Sequence, residues 1–327
     1  MKTKIYIHIG YPKTGTTTLQ KHFFPNIQEI EYIGKFVDRD SNFYTNVINQ
    51  IIFKDINHLD TENILNALVK RKEKTILLSE EDFLFDCLRP PSIAEDLFQA
   101  TPIEIANKLR LVFNKEEFDV EIILTIRKQD EMLTSLYAQA YTFNYSKYKE
   151  YDTFNKFVNV FIEDQYSNNK LRKGLDYLET VSIYKSIFGN NSVHVLLYEE
   201  LQDTPKIFYT KLCSILKISI SEYRDIAIKK VENKRSNQKG YKKVYNKNLL
   251  HILRSFKKEY FPKINFKLTK RQKLFLESIS FSNKKVENTI KLTKRQKEMI
   301  LNTYKVSNEK LSLDINYSLS EFGYYNV

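Results

Sequence analysis

The sequence predicts an α/β fold of three layers, with a central parallel sheet of four or five strands, helices on both faces and further helical additions. Two observations carry this. Four short runs, Lys4–Ile9, Thr75–Leu78, Glu121–Ile126 and Ser192–Leu197, are rich in Ile, Val and Leu and end at polar breaks, as buried strands do. Each is followed by a segment of helical character, and strands spaced by helices build βαβ units on a parallel sheet.

The expected helices are Thr16–Phe24, a stretch around Ile93–Phe113, Glu131–Tyr141 and Pro205–Leu216. Ligands bind such sheets at the carboxyl ends of the strands. Those ends are Gly10–Thr16, Ser79–Asp82, Arg127–Asp130 and Tyr198–Glu200, and all four are polar. Residues Asn26–Arg71 and Tyr145–Phe188 are expected to be mostly amphipathic helices that wall an acceptor site. The hexapeptide Leu-Thr-Lys-Arg-Gln-Lys occurs at Leu268–Lys273 and again at Leu292–Lys297. Two copies are too few for a solenoid, so both read as helix starts with Thr269 and Thr293 as N-caps. No linker marks a boundary. The chain is therefore expected to be one domain over 1–327, with 229–327 as its basic, mostly helical part.

With 327 residues, 42% of them hydrophobic, and only 7 Gly and 7 Pro, the chain has material for a large core, which excludes collagen-like and disordered classes. No run approaches the ~18 apolar residues of a membrane span. The N-terminal residues enter a strand without a cleavable signal pattern. Two cysteines, Cys87 and Cys213, exclude a disulfide framework. A cytoplasmic location is expected. The net charge is +12, and it is uneven: Lys229 to Lys297 holds 22 Lys and Arg against 4 Asp and Glu, leaving 30 against 36 elsewhere. Such a segment suits an anionic partner, including an anionic membrane surface, or is a set of solvated helix faces. The 22 Tyr and 22 Phe are scattered and form no base-stacking module, so nucleic acid is not expected as a partner.

The most informative segment is Gly10-Tyr11-Pro12-Lys13-Thr14-Gly15-Thr16-Thr17-Thr18. A strand ends, glycines permit a tight turn and hydroxyl residues open a helix, which aims backbone N–H groups and a helix dipole at an anion. Against the nucleotide-binding pattern G-x-x-x-x-G-K-[ST], Gly10, Gly15 and Thr17 match, but Thr16 replaces the lysine and Lys13 lies inside the loop. No hydrophobic run ends in the Asp that would help to hold Mg²⁺. The loop is P-loop-like and suits a phosphate better than a metal-clamped triphosphate.

Pro12-Lys13-Thr14-Gly15-Thr16-Thr17 resembles the 5′-phosphosulfate loop of sulfotransferases that use 3′-phosphoadenylyl sulfate (PAPS). Where the cytosolic steroid and phenol enzymes carry Trp, this chain has Thr18, which is similar to the carbohydrate and bacterial branches. Arg127, with Ser135 eight residues later, resembles the family's 3′-phosphate site: a planar fork of donors plus a hydroxyl. His194–Leu201 is similar to the strand ending in Tyr-Glu whose tyrosine, here Tyr198, lies near adenine. Lys239 and Gly240 occupy the place of a basic loop over the 3′-phosphate. The end, Leu319–Tyr325, also looks like that of bacterial members.

The resemblance implies transfer of a sulfuryl group from PAPS to an acceptor hydroxyl, that of a carbohydrate or glycan precursor, with adenosine 3′,5′-bisphosphate as the product. Lys13 would stabilise the bridging oxygen while Thr14–Thr18 hold the 5′-phosphate, so that positioning and electrostatics serve without a metal. A base must take the acceptor proton. Ser79-Glu80-Glu81-Asp82 supplies carboxylates at the second strand's end; Glu81 is favoured and Glu80 is the reserve, one of them pointing to the cleft because strand residues alternate. A solvated strand exit is the bland alternative. His8 is expected in the core, and no His or Cys shows metal-ligand spacing. The competing functions are a P-loop kinase or NTPase, which would need Mg²⁺, and a non-catalytic polyanion binder, which would show steep salt dependence without turnover.

Overall fold

The computed structural model describes residues 2–36, 42–69, 75–85, 101–141, 145, 148–163, 170–221, 242–244, 269, 271–272, 275 and 288–326. Cys87, Lys239, Gly240, the start of the Ile93–Phe113 helix and most of the basic segment lie outside the described residues. The chain divides into two compact units, 1–132 with 164–235 and 297–327, and 133–163 with 236–296.

The first unit is built on a five-stranded parallel sheet: β1 (Thr3–His8), β2 (Ile30–Gly34), β3 (Thr75–Ser79), β4 (Phe118–Ile126) and β5 (Val193–Leu197). Their order is β2-β3-β1-β4-β5, so the chain reverses its direction of winding at β1. That is where ligand crevices form in open α/β sheets. All four expected strands are present, and the register is tight: His8 lies opposite Ser79 on one side and Ile123 on the other.

The fifth strand corrects the expectation for Asn26–Arg71. Ile30-Glu-Tyr-Ile-Gly34 is an edge strand of only five residues, too short to announce itself by alternation. The rest of that segment does contain helices, α2 (Asn42–Phe53) and α3 (Thr61–Val69), after the helical start α1 (Thr16–Thr18). Next come α4 (Asp82–Phe85), α5 (Pro102–Val112), α6 (Gln129–Ala140), α7 (Phe154–Ile162), α8 (Lys170–Gly174), α9 (Tyr177–Phe188), α10 (Tyr198–Asp203), α11 (Pro205–Leu216) and α12 (Lys294–Asp314).

Both faces of the sheet are dry, as a parallel sheet requires. Tyr6, Leu77, Ile123 and Leu196 pack with Leu19, Phe23, Phe24, Phe208 and Leu212. Ile5, Ile7, Ile122 and Leu124 alternate with them along the strands and are fully buried too. Each such side chain contributes about 1.5–3 kcal/mol on burial. Helix ends follow their caps: Thr101 and Glu104 form a reciprocal capping box at α5, and Pro205 opens α11, which stops at Lys217 in the left-handed conformation.

The second unit has an aromatic core. Tyr137 stacks on Tyr145 at 5.3 Å and 7°, with Phe154 and Phe157 against it, and its hydroxyl donates to the Tyr151 carbonyl at 3.0 Å. Antiparallel strands β6 (Lys242–Val244) and β7 (Asn288–Ile290) belong here. So do both expected N-caps. The Thr269 hydroxyl accepts from Gln272 N at 3.3 Å and that of Thr293 from Gln296 N at 3.2 Å, while each glutamine side chain accepts from its threonine's N–H.

Candidate active site

The loop Gly10–Thr18 leaves the carboxyl end of β1 with its roots tied to both neighbours. Ile9 N donates to Ile123 O at 2.9 Å, Tyr11 N to Thr125 O at 3.1 Å, and Glu80 N to His8 O at 3.0 Å. Under it lies a dry polar layer. His8 places Nδ1 2.8 Å from Ser79 Oγ and Nε2 3.3 Å from Thr125 Oγ1, and Gln20 donates to Ser79 Oγ at 3.1 Å. Burial pushes the imidazole down to about 3, so it is a neutral core residue at physiological pH. A Cβ on Gly10 would come within 2.8 Å of its Nε2, so the close approach of loop and histidine needs glycine there.

Two loop residues hold left-handed backbone, Lys13 at φ 69° and Gly15 at φ 84°. Gly15 has a second constraint: a Cβ would lie 2.4 Å from Leu201 Cδ2 and 3.4 Å from the Tyr198 ring. For Lys13 the conformation costs about 1–2 kcal/mol, and the surroundings offset it. Arg127 Nη1 donates to the Lys13 carbonyl at 3.2 Å, and the Thr14 hydroxyl donates to the Tyr11 carbonyl. Thr14, Thr16 and Thr18 are buried, and Pro12 with them, while Lys13, Gly15 and Thr17 are half-buried. Thr18 N and Leu19 N both donate to Gly15 O, which starts α1; a π-helical turn, Leu19–Phe23, continues it.

Arg127 leaves the end of β4 and meets the loop from the other side. Its guanidinium lies 4.5 Å from the centre of the Tyr198 ring, Nη2 donates to Glu131 Oε2 at 2.9 Å, and Nε is buried without a hydrogen-bond partner among the described residues. Its carbonyl accepts from the Tyr177 hydroxyl at 2.5 Å. Burial alone would raise the Glu131 carboxyl, but hydrogen bonds from Lys128 and Arg127 outweigh it and hold it below its ordinary value. Tyr198 opens α10 at the end of β5, and burial pushes its phenol up. The next residue, Glu199, accepts from Lys128 N and from the Tyr324 hydroxyl, both at 2.9 Å. Burial raises its carboxyl despite these bonds. Glu200 accepts from Lys211 Nζ at 2.7 Å and from the Tyr317 hydroxyl. The C-terminal residues are thus tied to the end of β5.

At the end of β3 the carboxylates gather around one lysine. Lys35 Nζ lies 2.7 Å from Glu80 Oε1, 3.0 Å from Asp82 Oδ2 and 3.3 Å from Glu81 Oε1. Glu80 is fully buried and accepts from Asp82 N at 2.9 Å. Burial pushes its carboxyl up to about 7, with Lys35 opposing. Glu81 Oε2 accepts from the Thr16 hydroxyl and so touches the loop directly. β3 ends at Ser79 and the chain turns into α4, so burial and partners rather than strand alternation set the two glutamates apart: Glu80 is buried on Lys35, and Glu81 touches the loop.

The structure therefore brings together Lys13, Gly15, Thr16, Arg127, Tyr198, Glu80 and Glu81. Ser135 is buried on α6, in the second unit, and Lys239 and Gly240 lie outside the described residues. Sequence reasoning missed Lys35 and Glu131. For Lys35 the local signal was absent, because the five-residue strand that precedes it is too short to announce itself. Among the described residues no helix is long and apolar enough to cross a membrane, and no cluster of three His, Cys, Asp or Glu is placed to hold a metal ion.

The chain matches a family model described as a sulfotransferase domain over residues 3–293. No curated protein matches it in sequence. Among solved structures, a sulfotransferase from Alicyclobacillus acidocaldarius is similar at 15% identity and a TM-score of 0.40, covering 67% of this chain and 82% of that one. The mouse sulfotransferase SULT7A1 complexed with PAP is similar at 17% identity and a TM-score of 0.37, covering 69% of this chain and 64% of the mouse chain. At such TM-scores neither likeness is a guide to individual residues.

Proposed function

The chain belongs to the sulfotransferase domain family, and on that premise we propose that it carries a sulfuryl group from PAPS to a hydroxyl of a carbohydrate or glycan precursor. When bound, PAPS supplies an activated sulfuryl group on a phosphate leaving group. The residues present fit such a ligand: a glycine-dependent loop at a helical start, a half-buried arginine whose buried Nε has no hydrogen-bond partner among the described residues, and a tyrosine ring beside both. Thr14–Thr18 bind the 5′-phosphate by amides and hydroxyls, and Lys13 supplies positive charge where the leaving oxygen develops its own. Arg127 takes the 3′-phosphate, exchanging Glu131 for it, and Ser135 is assigned to that phosphate on the resemblance alone. Lys239 and Gly240 are assigned to the same phosphate on the resemblance alone. Tyr198 packs against adenine.

Glu81 takes the acceptor proton, with Glu80 as the reserve. The observation that carries this reading is the hydrogen bond from Thr16 to Glu81, which joins a carboxylate to the phosphate-type loop. The basic part of the chain, 229–327, would then draw in an anionic acceptor or a membrane-borne lipid-linked sugar.

The test is calorimetric titration with adenosine 3′,5′-bisphosphate in the absence of metal, beside ATP with Mg²⁺. Binding of the bisphosphate that weakens in Arg127→Ala supports the reading. Binding of ATP with Mg²⁺ alone would overturn it in favour of an NTPase.

A further inference from the structure

We propose that Lys35 is a positioning residue of this site: it draws Glu80, Glu81 and Asp82 onto one cation and so holds Glu81 against Thr16 at the mouth of the loop. The inference rests on Glu81 being the base. It is carried by backbone geometry first. β2 and β3 run in register with Gly34 opposite Ser79, so the residues that follow the two strands, Lys35 and Glu80, come side by side. Gly34 makes the approach close, because a Cβ there would lie 2.8 Å from the Ser79 carbonyl oxygen and 2.5 Å from the Tyr32 hydroxyl. That hydroxyl donates to the Lys35 carbonyl at 3.1 Å and fixes the turn that follows.

The charges facing one another include three carboxylates, Glu80 and Glu81 from the turn after β3 and Asp82 from the start of α4, and one ammonium, that of Lys35 just after β2. The Lys35 side chain is only 13% exposed, so water screens this cluster weakly. Three carboxylates this close share protons unless a cation compensates, since each ionised neighbour disfavours ionisation of the next. With Lys35 in place, Glu81 has one oxygen toward Lys35 and the other on Thr16. Lys35 acts through Glu81 and is not itself placed at the reacting atoms.

The experiment compares wild type, Lys35→Met, Lys35→Arg and Glu81→Gln. Carboxyl ¹³C NMR of glutamate-labelled protein follows the cluster, assigned with Glu80→Gln. Adenosine 3′,5′-bisphosphate binding reports the loop, and PAPS with a panel of methyl glycosides reports turnover. In Lys35→Met the cluster's carboxyl titration should move up by a pH unit or more, with bisphosphate affinity within about twofold of wild type. Turnover at pH 7 should fall tenfold or more and recover at higher pH, and Lys35→Arg should restore both profiles. An unchanged carboxyl titration in Lys35→Met overturns the proposal, as does loss of bisphosphate binding in step with turnover. Should Lys35→Met fail to fold, Lys35→Gln replaces it in the same titration. Glu81→Gln separates the two readings: wild-type turnover there removes Glu81 as base, whereas an inactive Glu81→Gln beside an unaltered Lys35→Met removes only Lys35.

Discussion

Replacing Gly15 by Ala tests whether the loop has the shape that the site needs. Two costs follow from the structure. The backbone sits at φ 84°, where an L side chain pays about 1–2 kcal/mol. The new Cβ would also lie 2.4 Å from Cδ2 of the fully buried Leu201, which must shift within its packing to make room. Overpacking of that kind costs about 1–3 kcal/mol. Together the substitution should cost about 2–5 kcal/mol. With an unfolding entropy of about 2.1 cal/mol/K per residue over 327 residues, this lowers the melting temperature by about 3–7 °C. Differential scanning calorimetry measures it, and a parallel titration should show adenosine 3′,5′-bisphosphate binding lost or greatly weakened. A double-mutant cycle with Leu201→Ala separates the terms, since removing Cδ2 relieves the overlap but leaves the backbone cost. Wild-type melting and wild-type affinity in Gly15→Ala would refute the argument, and additive effects in the cycle would refute the overlap.

Arg127→Ala should weaken bisphosphate binding by about 10- to 100-fold, the loss of one or two charge-assisted hydrogen bonds, whereas Lys13→Ala should abolish turnover; wild-type rates in Lys13→Ala would sink the assignment. For pH, the sign follows from Glu80, held up at about 7 against an ordinary 4.5. The folded chain keeps a proton there that the unfolded chain releases, so this contribution is full below about 4.5 and is lost as pH rises through about 7. His8, pushed down to about 3, acts oppositely, its contribution being lost as pH falls below about 6.5, so the useful quantity is the difference between wild type and Glu80→Gln. Urea midpoints from pH 4.5 to 8 should fall less steeply in Glu80→Gln, and identical slopes would contradict the assignment. Tyr324→Phe leaves the buried Glu199 with one donor fewer and should cost about 1–3 kcal/mol, read as a lowered melting temperature; no change would show that the C-terminal residues do not hold the end of β5.

The sequence by itself determined the parallel sheet, four of its strands, and the loop. These are local signals: buried strands read as Ile-, Val- and Leu-rich runs, and a Gly-Tyr-Pro-Lys-Thr-Gly turn keeps its meaning wherever it is placed. It also determined the two Thr caps, because a capping box closes within four residues. Only the tertiary structure decided what depends on pairing across long separations. That Lys35 stands beside Glu80 follows from the register of β2 on β3, 45 residues apart in the chain, and no pattern within either segment encodes it. That Arg127 reaches the Lys13 carbonyl and stacks on Tyr198 likewise depends on three strand ends meeting at one edge of the sheet. Glu80 and Glu81 are the clearest case. Their identity is written in the sequence, but burial, a shared lysine and one threonine hydroxyl decide which of the two is exposed to the loop and which is sealed in the core.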